Sequence, residues 1–192
     1  MRNLKIALLI AVVFLLFSSC VRSLHPLFHD DDLKFDSHLL GTWTENNNIW
    51  IFEKSGETMY NLKHYEPQSD SGKSSADDTS KFEARLGRIG NFQFIDLYPE
   101  EPPLHDDLYK IHLIAAHTFS KLWFENDTLH IAMLDNDWLK KEIADSAIVI
   151  AHETLDDIII LTADTEDLQM LLRKFGGNND AFPHPMVLNR VR

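Results

Sequence analysis

The feature that most constrains the fold is a succession of short segments in which apolar and polar residues alternate. The clearest is residues 81–86, where Phe82, Ala84 and Leu86 alternate with charged side chains, as in a strand with one buried face. An Asn-Asp pair at 126–127 is a hairpin turn signal between two such segments. The other strand candidates are residues 49–54, 58–66, 91–98, 109–115, 117–125, 128–134, 147–152, 158–161 and 186–191. About eight short strands of this kind predict a single closed antiparallel β-barrel.

Two helices are predicted in the second half of the chain. In the stronger of the two, apolar residues recur at helical spacing and so fall on one face. These residues are Leu168, Leu171, Leu172 and Phe175. Either Thr162 or Asp164 can cap the start of this helix, and Gly176 ends it. A shorter helix is predicted at 138–143, after a capping aspartate. The chain is therefore predicted to be mainly β, with one short helix and one C-terminal helix.

The N-terminus carries the pattern of a secretory signal peptide. Arg2 and Lys5 precede an unbroken apolar run at 6–17, and small residues follow the run. A helix of that length spans about 18 Å at 1.5 Å per residue, which is short of the hydrocarbon core of a bilayer, about 30 Å thick. The run therefore favours a targeting segment over a transmembrane helix.

The end of this segment, FSSC at 17–20, resembles the lipobox of bacterial lipoproteins. The resemblance implies that residues 1–19 are removed, that Cys20 is lipid-modified and that several acyl chains anchor the protein in a membrane. In such lipoproteins, an aspartate directly after the cysteine implies retention in the inner membrane. Here Val21 stands at that position. The implied location is the cell envelope, in the outer membrane, facing the periplasm or the cell surface. The alternative is an ordinary cleaved signal peptide with an unmodified cysteine.

The charge balance excludes one class of partner. The chain has 30 acidic residues against 18 Lys and Arg, and the net charge of −12 becomes −14 without Arg2 and Lys5. Such a chain repels phosphate, so a nucleic-acid partner is not expected. It also repels anionic lipid head groups, so the lipid and not the protein body would hold it to the membrane. A disulfide-rich scaffold is excluded because Cys20 is the one cysteine.

A second resemblance concerns the barrel itself. Gly41-Thr42-Trp43 at the first strand is similar to the Gly-x-Trp signature of lipocalins, in which a late arginine packs across the tryptophan, and Arg190 is the candidate here. The chain also resembles small bacterial lipoproteins of lipocalin-like type, a family without an assigned activity. The shared segments are the lead-in at 24–43, AHTF at 116–119 and LDNDWL at 134–139. This resemblance implies a lipocalin-like barrel domain at 37–192, with residues 20–36 as lipidated cysteine and tether. Within the domain, the polar stretch at 67–80 is expected to be a flexible loop.

Patterns for catalysis, cofactors or metals are weak. The chain has no Gly-x-Ser-x-Gly, no phosphate-binding glycine loop and no pair of cysteines. The HETLD stretch at 152–156 lacks the second histidine of a zinc protease. His25 and His29, next to three aspartates, are better explained as part of a solvated acidic segment. No catalytic residue, metal ligand or cofactor is therefore assigned.

The aromatic residues of the strands suggest a binding role. Inward aromatic side chains of a small barrel either line a ligand cavity or fill a packed core. Phe82, Phe92 and Phe94 are the cavity candidates, because their segments alternate most clearly. The preferred hypothesis is a membrane-anchored lipoprotein that binds a small hydrophobic ligand. The alternatives are a solid barrel that contacts other envelope proteins, and a hydrolase with a dispersed site that includes His112 and His117.

Overall fold

The computed structural model describes residues 20–66, 79–102, 104 and 106–191. The predicted signal peptide at 1–19 and most of the predicted loop at 67–80 lie outside these residues. Within the described residues the chain forms eleven strands and three α-helices. The strands are β1 (Arg22–Ser23), β2 (Gly41–Glu45), β3 (Asn48–Ser55), β4 (Met59–Tyr65), β5 (Ser80–Ile89), β6 (Phe92–Pro99), β7 (His117–Glu125), β8 (Thr128–Met133), β9 (His152–Leu155), β10 (Ile158–Leu161) and β11 (Met186–Arg190). The helices are α1 (Asp107–Lys110), α2 (Asn136–Ala144) and α3 (Thr165–Phe175).

Eight of the strands close into an antiparallel barrel, which confirms the predicted fold class. The order around the barrel is β2, β3, β4, β5, β6, β7, β8 and β11, and β11 pairs again with β2. Direct pairing of β6 with β7 completes the ring. Outside the ring, β1 pairs with β7 and with β10, and β10 pairs with β9. The sheet therefore continues past the barrel wall on one side.

Every strand of the barrel contributes to one apolar cluster inside the ring, which we call the interior core. In β5, Ala84 and Leu86 belong to this core and Phe82 packs against it, as the alternation at 81–86 predicts. The buried members are Leu39, Trp43, Trp50, Phe52, Tyr60, Leu62, Ala84, Leu86, Ile95, Leu97, Leu122, Leu129, Ile131 and Leu188. Because these side chains form one continuous cluster, a packed core occupies the middle of the barrel.

A second apolar cluster, the outer layer, covers the outer face of β5 to β8. Phe94 of β6 and Phe119 of β7 lie in this layer together with Leu168 and Leu172 of α3. Trp138 of α2 belongs to the same cluster. The central barrel strands are therefore buried on both faces where the helices cover them.

Aspartates cap all three α-helices of the described chain. The side chains of Asp106, Asp135 and Asp164 each accept a hydrogen bond from a backbone N–H of the first turn. For α3 the cap is thus Asp164 and not Thr162. Gly176 follows the last turn of α3 and donates its N–H to the Leu172 carbonyl at 2.8 Å, as expected for the end of the helix.

One predicted strand is wrong and another is displaced. Residues 109–115 contain the end of α1 and a turn instead of a strand. The physical reason is that β6 pairs directly with β7, so the closed ring leaves this segment no strand edge to join. Asp106 caps a helical turn there instead. The strand predicted at 147–152 begins only at His152, as β9.

Residues 20–36, predicted as the lipidated cysteine and tether, pack against the barrel in the structure. Their strand β1 pairs with β7 and β10, and Leu27 and Phe28 are buried. Phe28 lies against Gly87 of β5, where a Cβ atom would come within 2.3 Å of the phenyl ring. Strand pairing and apolar burial therefore fix this segment to the barrel wall.

Candidate binding cleft

Gly41, Trp43 and Arg190 form a packed group where β2 begins and β11 ends. The guanidinium carbon of Arg190 lies 4.1 Å from the centre of the Trp43 ring, and Nη1 of Arg190 donates to the Leu40 carbonyl at 2.8 Å. Gly41 has a φ of +119°, and a Cβ atom there would lie 3.1 Å from that Nη1, so conformation and space both favour glycine. Trp43 Nε1 donates to the Leu39 carbonyl at 2.9 Å. The group holds the chain before β2 to the end of β11.

The three cavity candidates lie on two sides of the barrel wall. Phe82 packs against the interior core. Phe94 is fully buried in the outer layer, with its ring centre 5.7 Å from that of Phe182. Phe92 lines an open cleft on the outer side of the barrel. Phe82 is separated from the other two because β5 turns it toward the barrel axis, whereas β6 turns Phe92 and Phe94 away from it. Of the three side chains, Phe92 lines the cleft.

The cleft that Phe92 lines has a volume of about 680 Å³, and we call it the outer cleft. It lies between the β5–β6 hairpin, β7 and the loop that leads from α3 to β11. Its lining residues are Arg88, Asn91, Phe92, Gln93, Lys121, Leu122, Trp123, Asn179, Phe182, Pro183, His184 and Pro185. Three of these are aromatic and none is acidic, although the chain has 30 acidic residues. The outer cleft thus differs in charge from the protein as a whole.

Two glycines after α3 let the loop approach β6 closely. A Cβ atom on Gly176 would lie 3.0 Å from the Phe92 ring, and one on Gly177 would lie 3.2 Å from it. Farther along the loop Phe182 is buried, and Pro183 restricts the backbone directly after it. The loop therefore carries Phe182 back to the barrel wall, next to the outer side chains of β6 and β7.

Lys121 of β7 lies among the aromatic rings of the cleft. Its Nζ is 5.3 Å from the ring centre of Phe182, 5.4 Å from that of Phe92 and 5.5 Å from that of Trp123. It donates to the Gly176 carbonyl at 3.1 Å, and among the described residues it forms no ion pair with a carboxylate. Burial lowers the pKa of Lys121, because partial removal of water disfavours the charged ammonium. The outer cleft therefore combines apolar walls with a partly desolvated cation.

Three residues of the cleft, Lys121, Trp123 and Phe182, were not predicted from the sequence. Alternation within 117–125 places Lys121 and Trp123 on one face of a strand, which is the signal that was available for them. Phe182 belongs to a loop far along the chain, and no local pattern indicates that it contacts the barrel wall. A cleft formed by such distant segments is visible only in the folded structure.

The histidines considered for hydrolytic or metal chemistry lie in separate places. His29 Nε2 lies 3.0 Å from a Glu166 carboxylate oxygen at the surface. His117 Nδ1 lies 2.9 Å from an oxygen of Asp96, and this pair is buried. No hydrogen bond joins His112 to His117 in the described part of the chain. Among the described residues, no group of three or more His, Cys, Asp or Glu side chains is arranged to hold a metal ion.

Cys20 lies at the start of the described chain, beside the barrel. It forms a β-bridge with Asp135, and its thiol donates to Met133 Sδ at 2.8 Å. Burial raises the pKa of the Cys20 thiol, and the positive charge of Arg22 opposes this with a smaller effect. None of the helices in the described ranges is long and apolar enough to cross a bilayer.

Comparisons of the chain with protein-family models, with curated proteins and with solved structures found no match. The fold by itself assigns no activity, because β-barrels carry many unrelated functions. Function is therefore inferred from the chemistry of the outer cleft and from the N-terminal sequence pattern.

Proposed function

We propose that this protein is a lipid-anchored lipoprotein of the cell envelope that binds a small hydrophobic molecule in the outer cleft. The observation that carries the proposal is the set of three aromatic rings, Phe92, Trp123 and Phe182, around an opening of about 680 Å³. Small-molecule sites have volumes of about 300–1,000 Å³ and predominantly apolar and aromatic walls. The outer cleft has the size and the lining of such a site.

The packing of the barrel supports this location over a cavity inside it. The interior core is one continuous cluster to which all eight strands contribute, and it includes large side chains such as Trp43, Tyr60 and Phe52. A ligand inside the barrel would have to displace part of this core. A ligand in the outer cleft would instead contact side chains that line an existing opening.

The position of Cys20 supports an anchor that holds the barrel close to the membrane. Val21 is buried and β1 begins at Arg22, so almost no free chain separates Cys20 from the folded body. Acyl chains on Cys20 would therefore bring the barrel wall near α2 to the bilayer surface.

Binding of phenylnaphthylamine, a neutral dye that becomes fluorescent in apolar surroundings, tests the proposal. The full mature chain carrying Cys20→Ser, purified without detergent, is expected to bind this dye. The substitution Trp123→Ala is expected to weaken binding about tenfold, because an aromatic contact and its buried area are lost. The measurement is a fluorescence titration.

Tyr109→Ala is the matched control, because it removes an exposed aromatic side chain that does not line the cleft. This variant should bind the dye as the parent chain does. Equal affinity of the Trp123→Ala variant and the parent chain would contradict binding in the outer cleft.

A second candidate function is contact with another envelope protein. It is favoured by the apolar side chains near α1, since Leu108 is 69%, Ile111 74% and Ile114 82% exposed. A photoreactive residue at position 111 is expected to cross-link to a discrete partner in intact cells, whereas the same residue at the exposed Met170 is not. Identical cross-linking from both positions would contradict this candidate.

A further inference from the structure

We propose that the ligand of the outer cleft is an anionic amphiphile whose acidic head group binds the ammonium of Lys121. This inference rests on the proposed function and specifies the chemical class of the ligand. The head group is a carboxylate or a sulfonate-like group, and the apolar body lies against Phe92, Trp123 and Phe182. The observation behind this inference is the environment of the Lys121 ammonium.

Among the partly buried lysines of the described residues, Lys121 is the one that forms no ion pair with a carboxylate. Lys63 pairs with Glu53 at 2.8 Å and Lys110 with Glu101 at 3.0 Å. In contrast, no described carboxylate forms an ion pair with Lys121, although acidic residues outnumber basic ones. An ammonium that is partly removed from water without a counter-ion is unfavourable, and a bound anion would compensate for this.

The hydrogen bond from Lys121 to the Gly176 carbonyl uses only one of the donors of the ammonium. A lysine at the C-terminal end of α3 interacts favourably with the negative end of the helix dipole. The ammonium carries three N–H donors, and this carbonyl occupies one of them. The other donors remain available to a ligand oxygen on the open side of the cleft.

The three rings around Nζ also position the charge. Each ring centre lies 5.3–5.5 Å from Nζ, within the range of cation–π interaction. These contacts hold the ammonium beside the apolar surface that the body of an amphiphile would cover. Head group and body would thus be bound by adjacent parts of the same cleft.

A second cation lies at the cleft and no acid lines it. Arg88 is among the lining residues, and none of them is an aspartate or glutamate. Outside the lining, Glu125 accepts a hydrogen bond from Trp123 Nε1 at 3.1 Å. Positive charge on the lining favours an anion inside the cleft, even though the protein carries a net charge of −12.

The test compares two dyes that share one ring system. Anilinonaphthalene sulfonate is anionic, whereas phenylnaphthylamine is the neutral analogue, and both fluoresce in apolar surroundings. The full mature chain carrying Cys20→Ser is titrated with each dye. Lys121→Met keeps the apolar stem and removes the charge, so affinity for the sulfonate is expected to fall about tenfold or more, while affinity for the neutral dye changes little.

Two further variants separate a local effect from a general one. Lys141→Met changes the net charge equally at an exposed position of α2 outside the cleft, and should leave both affinities unchanged. Lys121→Arg keeps a cation in place and should retain the preference for the sulfonate. If Lys121→Met does not fold, the comparison of Lys121→Arg with Lys121→Gln provides the same readout.

The outcomes distinguish this inference from the function on which it rests. If both dyes bind, both are weakened by Trp123→Ala and Lys121→Met leaves the sulfonate affinity unchanged, the anionic ligand is wrong and the binding function stands. If neither dye binds, or if Trp123→Ala weakens neither, the proposed function fails and the inference fails with it. Selective loss of sulfonate binding in Lys121→Met supports both.

Discussion

Replacing Trp43 by phenylalanine is expected to lower the free energy of unfolding by about 2–3 kcal/mol. Trp43 is 1% exposed, and its ring lies against the Arg190 guanidinium at 4.1 Å and 6.0 Å from the centre of the Phe124 ring. The substitution leaves a void, weakens the cation–π contact and removes the N–H that donates to the Leu39 carbonyl. Urea unfolding, followed by circular dichroism, measures the change.

Trp50→Phe is the matched control for this prediction. Trp50 belongs to the same interior core, but its Nε1 is buried and forms no hydrogen bond with the described residues. The substitution creates a similar void, yet it also removes a buried donor that lacks a partner, so the expected loss is about 1 kcal/mol or less. An equal or larger loss for Trp50→Phe would contradict the structural role assigned to the group of Gly41, Trp43 and Arg190.

Cys20→Ser is expected to move the protein from the membrane fraction to the soluble fraction of bacterial cells. Serine has nearly the size of cysteine but lacks the thiol that the proposed lipid modification requires. Without acyl chains, the net negative charge of the body repels anionic lipids. Cell fractionation followed by an intact-mass measurement shows both the location and the mass of any acyl chains.

Ser18→Ala is the matched control, because it keeps a small residue in front of the cysteine. This variant should stay in the membrane fraction with the same acyl mass as the parent protein. A membrane-bound Cys20→Ser variant, or a parent mass without acyl chains, would contradict the proposed anchor. The ligand proposal would be unaffected, because Cys20 does not line the outer cleft.

The barrel could be predicted because alternation marks its strands, but alternation did not always show which face is inside. In β5 the residues between Phe82, Ala84 and Leu86 are charged, so the inward face is evident from the sequence. In β6 both faces are apolar, because the outer layer buries one and the interior core the other. The sequence therefore predicts the strand without showing that Phe92 and Phe94 face outward.

Closure of the ring explains why the strand predicted at 109–115 does not form. Residues 109–115 contain apolar side chains at strand-like spacing, but pairing of β6 with β7 leaves no edge for them. This pairing joins segments on either side of the 109–115 stretch, so a local pattern does not reveal it.

The outer cleft could not be predicted for a related reason. The ammonium of Lys121 meets groups from residues 92, 176 and 182, which come together only after β6, β7 and the loop behind α3 have packed. The sequence did suggest that aromatic residues of the strands are the place to look for a ligand site. Of the residues it selected, Phe92 lies at the cleft.

Native mass spectrometry of the protein, extracted gently from the membrane fraction in which the proposed anchor would place it, tests the central claim most directly. The parent protein is expected to carry a small noncovalent adduct that organic extraction removes, and the Trp123→Ala variant is expected to lack it. The adduct should ionise as an acid if Lys121 binds its head group. An identical adduct on both proteins, or none on either, would contradict a ligand in the outer cleft.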